Sequence, residues 1–140
     1  MMEVLIFLQS WKRILKNGIR KKPCSTRKRK PYFFHEREIW WCALGANVGN
    51  EQDGKGALFT RPVLILKKFS KTTFWAVPLT TKKKYGNYFY SLSSRVGGRR
   101  TTAVLHQLRL IDARRLSDKL GYAKKEDFKN IKKSVSDLLH

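Results

Sequence analysis

The stretch Arg61-Pro-Val-Leu-Ile-Leu-Lys-Lys-Phe-Ser-Lys-Thr-Thr-Phe-Trp-Ala-Val-Pro-Leu79 decides the fold class of this 140-residue chain. It holds two apolar runs of strand length, Arg61–Leu66 and Thr72–Leu79, parted by a polar, lysine-bearing break. Both runs favour β-branched, large aliphatic or aromatic residues and are too short for a buried helix. Pro62 opens the first run, where a missing N–H is tolerated. Upstream, Glu38-Ile-Trp-Trp-Cys-Ala-Leu44 is another dense run of strand length, and Gly45 to Thr60 reads as a long loop rich in Gly and Asn. Of the paired tryptophans, alternation sends one of Trp40 and Trp41 to the core and the other to a boundary. Downstream come a basic turn (Lys82–Gly86), an aromatic strand (Asn87–Leu92), a Gly97-Gly98 reversal and a strand over Thr101–Gln107. Lys124–Leu139 then sets Phe128, Ile131, Val135 and Leu138 on one stripe, with Glu126 and Asp127 in the first turns, where a helix dipole favours acids. Short strands followed by one helix predict a mainly β (α+β) architecture, a small curled sheet or barrel closed by a C-terminal helix.

The first 31 residues read differently from the remainder, 32–140. Val4, Leu8, Trp11 and Leu15 recur at helical spacing, and Asn17-Gly18 supplies a stop. A basic, proline-bracketed linker follows, Arg20 to Pro31. An amphipathic N-terminal helix on a flexible tether is expected there.

Charge narrows the class of partner. Thirty-one Lys and Arg against ten Asp and Glu give +21. Residues 1–31 contribute +9 and residues 32–140 contribute +12, so the excess is not confined to a tail. A folded domain that keeps such a charge stores self-repulsion, which a polyanion relieves. Two cysteines, Cys24 and Cys42, make no disulfide framework, and free thiols fit a reducing cytoplasm. No apolar run approaches the roughly 20 residues of a membrane span. Val4–Leu8 is short for a signal core, and its basic residues follow it. The chain reads as cytoplasmic, with no membrane partner.

Metal and cofactor chemistry find no support in the spacing. His35, His106 and His140 lie at ligand spacing neither to one another nor to a cysteine, and Gly45–Gly56 lacks a P-loop or dinucleotide pattern. What remains is a set of polar residues near predicted strand ends: Glu51, Gln52, Arg61, Thr80, Thr81, His106, Gln107 and Arg109. On one rim of a small barrel these would share a concave surface. An arginine fork there can hold two phosphate oxygens and the extra charge of a pentavalent transition state. RNA carries its own nucleophile, the 2′-hydroxyl, so such a site needs neither metal nor protein nucleophile. Lys83 and Tyr85, in a basic turn interleaved with aromatics, suit single-stranded nucleic acid.

Five ordered blocks carry a resemblance. They are Arg37-Glu-Ile-Trp-Trp-Cys-Ala-Leu44, Val48-Gly-Asn-Glu-Gln52, Thr60-Arg-Pro-Val-Leu-Ile65, Val77-Pro-Leu-Thr80, and Leu105-His-Gln-Leu-Arg-Leu-Ile-Asp112 with Arg115-Leu116. From about Glu36 onward the chain resembles the MazF/PemK toxins of toxin–antitoxin pairs. The resemblance implies a Src-homology-three-like barrel with a C-terminal helix, acting as a homodimer. It further implies metal-independent endoribonuclease activity on single-stranded RNA at short sequence motifs, leaving a 5′-hydroxyl and a cyclic phosphate. A cognate antitoxin with an acidic segment would cover the RNA groove. Carried over by motif, the catalytic arginine falls on Arg61, the threonine on Thr80 (with Thr81 next to it), the loop Glu-Gln pair on Glu51 and Gln52, and the Gln-x-Arg element on Gln107 and Arg109. Three features depart from the pattern: Lys55-Gly-Ala-Leu-Phe59 lengthens the loop, His106 stands where many members have an acid, and residues 1–35 have no counterpart. Two other readings are a non-catalytic nucleic-acid-binding barrel and a DNA gyrase poison like the related CcdB toxins. The second lacks the terminal aromatic, since the chain closes on Asp137-Leu-Leu-His140.

Overall fold

A computed structural model describes residues 33–45 and 60–140. The expected N-terminal helix, its basic linker and the boundary at residue 31 lie outside the described residues, as do Glu51, Gln52 and Cys24. Among the described residues are seven strands: β1 (Glu38–Ala43), β2 (Thr60–Lys68), β3 (Thr73–Thr80), β4 (Phe89–Ser91), β5 (Thr102–Val104), β6 (Arg109–Asp112) and β7 (Leu116–Tyr122). One helix, α1 (Lys125–Asp137), follows them. The strands pair antiparallel in the order β4-β5-β3-β2-β1-β7, and β6 also pairs with β3. This is the mainly β curled sheet with a C-terminal helix that the pattern predicts.

The sheet is apolar on both faces, which explains why β2 and β3 read as continuous apolar runs rather than alternating ones. Val63 and Ile65 of β2 join Phe74 and Ala76 of β3, with Trp40, Cys42 and Phe34, in one cluster. Leu64, Leu66, Val77 and Leu79 face the other way and pack with Ile39, Leu105 and Ile131 of α1. Trp40 is buried and its neighbour Trp41 half-buried, the division that strand alternation predicts.

Two parts of the chain differ from the sequence pattern. The strand expected over Thr101–Gln107 ends at Val104, and Leu105–Gln107 form a 3-10 turn instead. Leu105 is driven into the second cluster while the next residue, His106, is left exposed. The additional strands β6 and β7 carry no clear apolar signature. β7 pairs with β1 through two register shifts and buries only its first residue, Leu116.

Glu38 begins β1 almost wholly buried, which is costly for a carboxylate unless donors surround it. Three do: Lys119 Nζ at 2.8 Å, Trp40 Nε1 at 2.8 Å and the His35 backbone N–H at 2.9 Å. Burial alone would raise this carboxyl, but the donors outweigh it and hold it below the ordinary glutamate range. A carboxyl with a lowered folded-state pKa adds stability that is complete above its unfolded value, about 4.3. That contribution drains away as pH falls through the folded value. Chemical denaturation at pH 6 and pH 3 is therefore expected to show a smaller acid-induced loss in Glu38→Gln than in the unsubstituted protein. An identical loss would remove Glu38 from the acid response.

Candidate functional site

Strand register builds the site. β2 and β3 pair Val63 with Pro78 and Ile65 with Ala76. Carrying that pairing two residues further sets Arg61 against Thr80 on the same pleat face, and Cys42 of β1 lies opposite Arg61 on the other side. A face packed by Ile65, Val63, Phe74 and Ala76 thus ends in a guanidinium and a hydroxyl. Arg61 is only 9% exposed and Thr80 7%. Both line a cleft of about 320 Å³ at the common end of β1, β2 and β3, together with Trp41, Thr81, Arg99 and Thr101. The Thr80 Oγ1 also accepts the Lys82 backbone N–H at 3.3 Å, tying the strand end to the basic turn. A guanidinium this far from solvent acts on an anion with less screening than a surface arginine.

A second cleft, of about 480 Å³, adjoins the first and shares Thr81 and Thr101 with it. Its walls include Lys83, Lys84, Tyr85, Arg95 and Arg100. Lys83 and Tyr85, expected to contact nucleic acid, therefore stand beside the Arg61 cleft. Arg95, Arg99 and Arg100 were not among the sequence candidates. Their signal is a Gly-Gly pair flanked by cations, Arg95-Val-Gly-Gly-Arg-Arg100, the form of a tight hairpin presenting charge.

Other candidates fall elsewhere. His106 stands edge-on to Tyr88 and Phe89, with ring centroids 5.6 and 5.5 Å away, and lines neither cleft. Gln107 closes the 3-10 turn and Arg109 opens β6 opposite Ala76, so neither of them borders these clefts. The buried thiol of Cys42 is pushed up to about 12 by desolvation, which outweighs the opposing charges of Arg115 and Arg109. It is a packing group and no nucleophile at neutral pH.

Among the described residues no cluster of three His, Cys, Asp or Glu could hold a metal ion, and no helix is long and apolar enough to cross a membrane. The described lining of the Arg61 cleft offers guanidinium and hydroxyl groups, with neither carboxylate nor imidazole. Such a wall offers donors suited to an anion.

A family model described as the PemK-like, MazF-like toxin of type II toxin–antitoxin systems matches residues 35–139. Among curated proteins, none matches this chain. Solved structures resemble it in fold. MazF from Deinococcus radiodurans is 20% identical, with a TM-score of 0.64, over 77% of this chain and 97% of that one. An endoribonuclease from a mycobacterial species, in complex with its cognate antitoxin, is 15% identical with a TM-score of 0.60 over 76% and 95% of the two chains. A MazE–MazF structure from Deinococcus radiodurans gives 18% and 0.59, covering 77% and 96%. At such identities the likeness speaks for the fold alone.

Proposed function

This chain belongs to the family of PemK-like, MazF-like toxins of type II toxin–antitoxin systems, and we propose that it is a metal-independent endoribonuclease cutting single-stranded RNA at short sequence motifs. The observation that carries the reading is the juxtaposition of Arg61 and Thr80 at one strand end, both lining the wall of one cleft. In the reaction the RNA 2′-oxygen attacks the adjacent phosphorus in line and the bond to the 5′-oxygen breaks. The products are a 2′,3′-cyclic phosphate and a 5′-hydroxyl, the proton from the 2′-hydroxyl being balanced by one delivered to the leaving oxygen. Arg61 stabilises the charge gathered on the pentavalent phosphorus, and Thr80 orients the phosphate. An arginine, with a pKa above about 12, is a poor proton donor, so its role is electrostatic.

Glu51 is assigned to hold Arg61 in place, and Gln52, Thr81, Gln107 and Arg109 to grip the RNA. Lys83 and Tyr85 receive the flanking strand by charge and stacking. The place of His106 against Tyr88 and Phe89 favours an RNA contact away from the Arg61 cleft over proton transfer there. The reading includes a cytoplasmic setting and a cognate antitoxin whose acidic segment competes for the basic clefts. It also includes a homodimer, and the exposed apolar group Phe69, Trp75 and Leu110 is the kind of surface a second copy covers.

Incubation of purified protein with a long single-stranded RNA in excess chelator tests this. Fragments are expected whose 5′ ends accept a phosphate from polynucleotide kinase without prior phosphatase treatment. DNA of the same sequence, lacking the 2′-hydroxyl, is expected to stay intact. RNA that is retarded on a gel but never cut would establish instead a nucleic-acid-binding barrel, which the same basic clefts also serve.

A further inference from the structure

The hairpin joining β4 to β5 gathers cations around a tight two-glycine turn. Val96 and Arg99 exchange backbone hydrogen bonds at 2.9 and 3.1 Å across Gly97 and Gly98. Both glycines have positive φ, 56° and 76°, the signature of a two-residue primed turn. Arg95 and Arg100 flank this bridge, one on each side, and both line the second cleft. Like charges gathered in the wall of one cleft repel each other. No neighbouring acid relieves them: among the described residues, no carboxylate lies within ion-pair distance of Lys83, Arg95 or Arg100.

The hairpin is nonetheless fixed in place. Asp127 of α1, itself buried, accepts hydrogen bonds from the Ser93 N–H at 3.0 Å, the Ser93 Oγ at 2.8 Å and the Tyr90 hydroxyl at 3.0 Å. Where the hairpin meets the Arg61 cleft stands Thr101, 5% exposed, whose Oγ1 has no hydrogen-bond partner among the described residues. A buried hydroxyl left unsatisfied is costly, and a ligand oxygen reaching it would relieve that cost. Thr101 borders both clefts, so the orphan group sits at their junction.

We propose that Arg95 and Arg100, with Lys83 across the cleft and Thr101 at its inner end, form a phosphate subsite for the RNA strand flanking the scissile linkage. The inference rests on the nuclease reading of the Arg61 cleft and names a further part of its substrate. Two arginines lining one cleft gain most from a shared anion, and a backbone phosphate supplies one whatever the base. The subsite therefore adds affinity and fixes the path of the strand, without sequence preference.

The test uses the full chain and a mixed-sequence 2′-O-methyl RNA 12-mer, which cannot be cut because its 2′-oxygens are blocked. Each arginine that meets a phosphate contributes about 0.7 to the slope of log affinity against log salt, or about fivefold in affinity at 0.1 M salt. Arg95→Ala/Arg100→Ala is expected to flatten that slope by about 1.4 and weaken binding roughly 25-fold. Arg95→Lys/Arg100→Lys should restore most of both. On long RNA the alanine pair should raise KM and leave kcat unchanged.

An unchanged slope, or a fall in kcat at constant KM, overturns the subsite. Loss in the lysine pair as large as in the alanine pair also overturns it, since charge would then not be what matters. The two readings fail separately. If the protein binds the 12-mer but never cuts long RNA, the nuclease reading falls and the slope still decides the subsite. If it cuts long RNA with the alanine pair unaltered, only the subsite falls. Absence of any binding to the 12-mer overturns the subsite outright.

Discussion

Arg61→Ala is expected to slow RNA cleavage by about 10²–10³-fold, the usual loss when one preorganised donor to a transition-state oxyanion is removed. The expectation follows from burial. Arg61 lies largely out of water beside Thr80, so its charge acts on a bound phosphorane with little screening. Alanine leaves that charge uncompensated in the transition state, while phosphate contacts from the neighbouring basic cleft persist. Binding of an uncleavable RNA should therefore fall far less than the rate. Arg61→Lys keeps a charge but loses the planar fork, and an intermediate rate is expected. Single-turnover rates for the three proteins, each checked by thermal unfolding, provide the measurement. If Arg61→Ala cuts at the unsubstituted rate while remaining folded, catalysis takes place elsewhere.

The second large effect concerns folding. Asp127→Ala should destabilise the protein by about 3 kcal/mol, because it strips the acceptor from three donors at a buried position. For a domain of this size that corresponds to a fall in Tm of roughly 10 °C. Asp127→Asn retains acceptor capacity through its carbonyl oxygen, so about half the loss is expected. The position also lies in the first turn of α1, where a negative charge meets the helix dipole. Because two of the donors belong to Ser93, at the root of the β4–β5 hairpin, limited proteolysis of Asp127→Ala should add cleavage near Arg95 and Arg99. Calorimetry showing a Tm within about 2 °C of the unsubstituted protein would mean the carboxylate is not an anchor.

Much of this architecture was legible in the residues. The runs at 38–44, 61–66 and 72–79 are strands because their apolar content has nowhere else to go, and the stripe through Phe128 and Ile131 reads directly as the face α1 buries. What local pattern cannot supply is pairing across distance. β6 has only four residues, and β7, Leu-Ser-Asp-Lys-Leu-Gly-Tyr, is an edge strand with little buried surface to impose alternation. Asp127 reads as a dipole-favoured helix residue, and its role as a hub for a hairpin more than thirty positions earlier in the chain leaves no local trace.

The same holds at the candidate site. Arg61 and Thr80 were each visible as strand-end polar groups, but their opposition depends on the β2–β3 register, which no single segment specifies. His106 shows the converse. Its position in sequence put it with the strand-end polar set, yet the 3-10 turn at Leu105–Gln107 rotated it toward Tyr88 and Phe89.

The two-glycine reversal at positions 97 and 98 separates what the backbone requires from what the side chains around it present. The left-handed conformation falls on two residues without side chains, so the side chains at 95, 99 and 100 do not set the turn. On the proposed reading, exchanging the cations at 95 and 100 would change the grip on RNA while Arg61 and Thr80 stay in place.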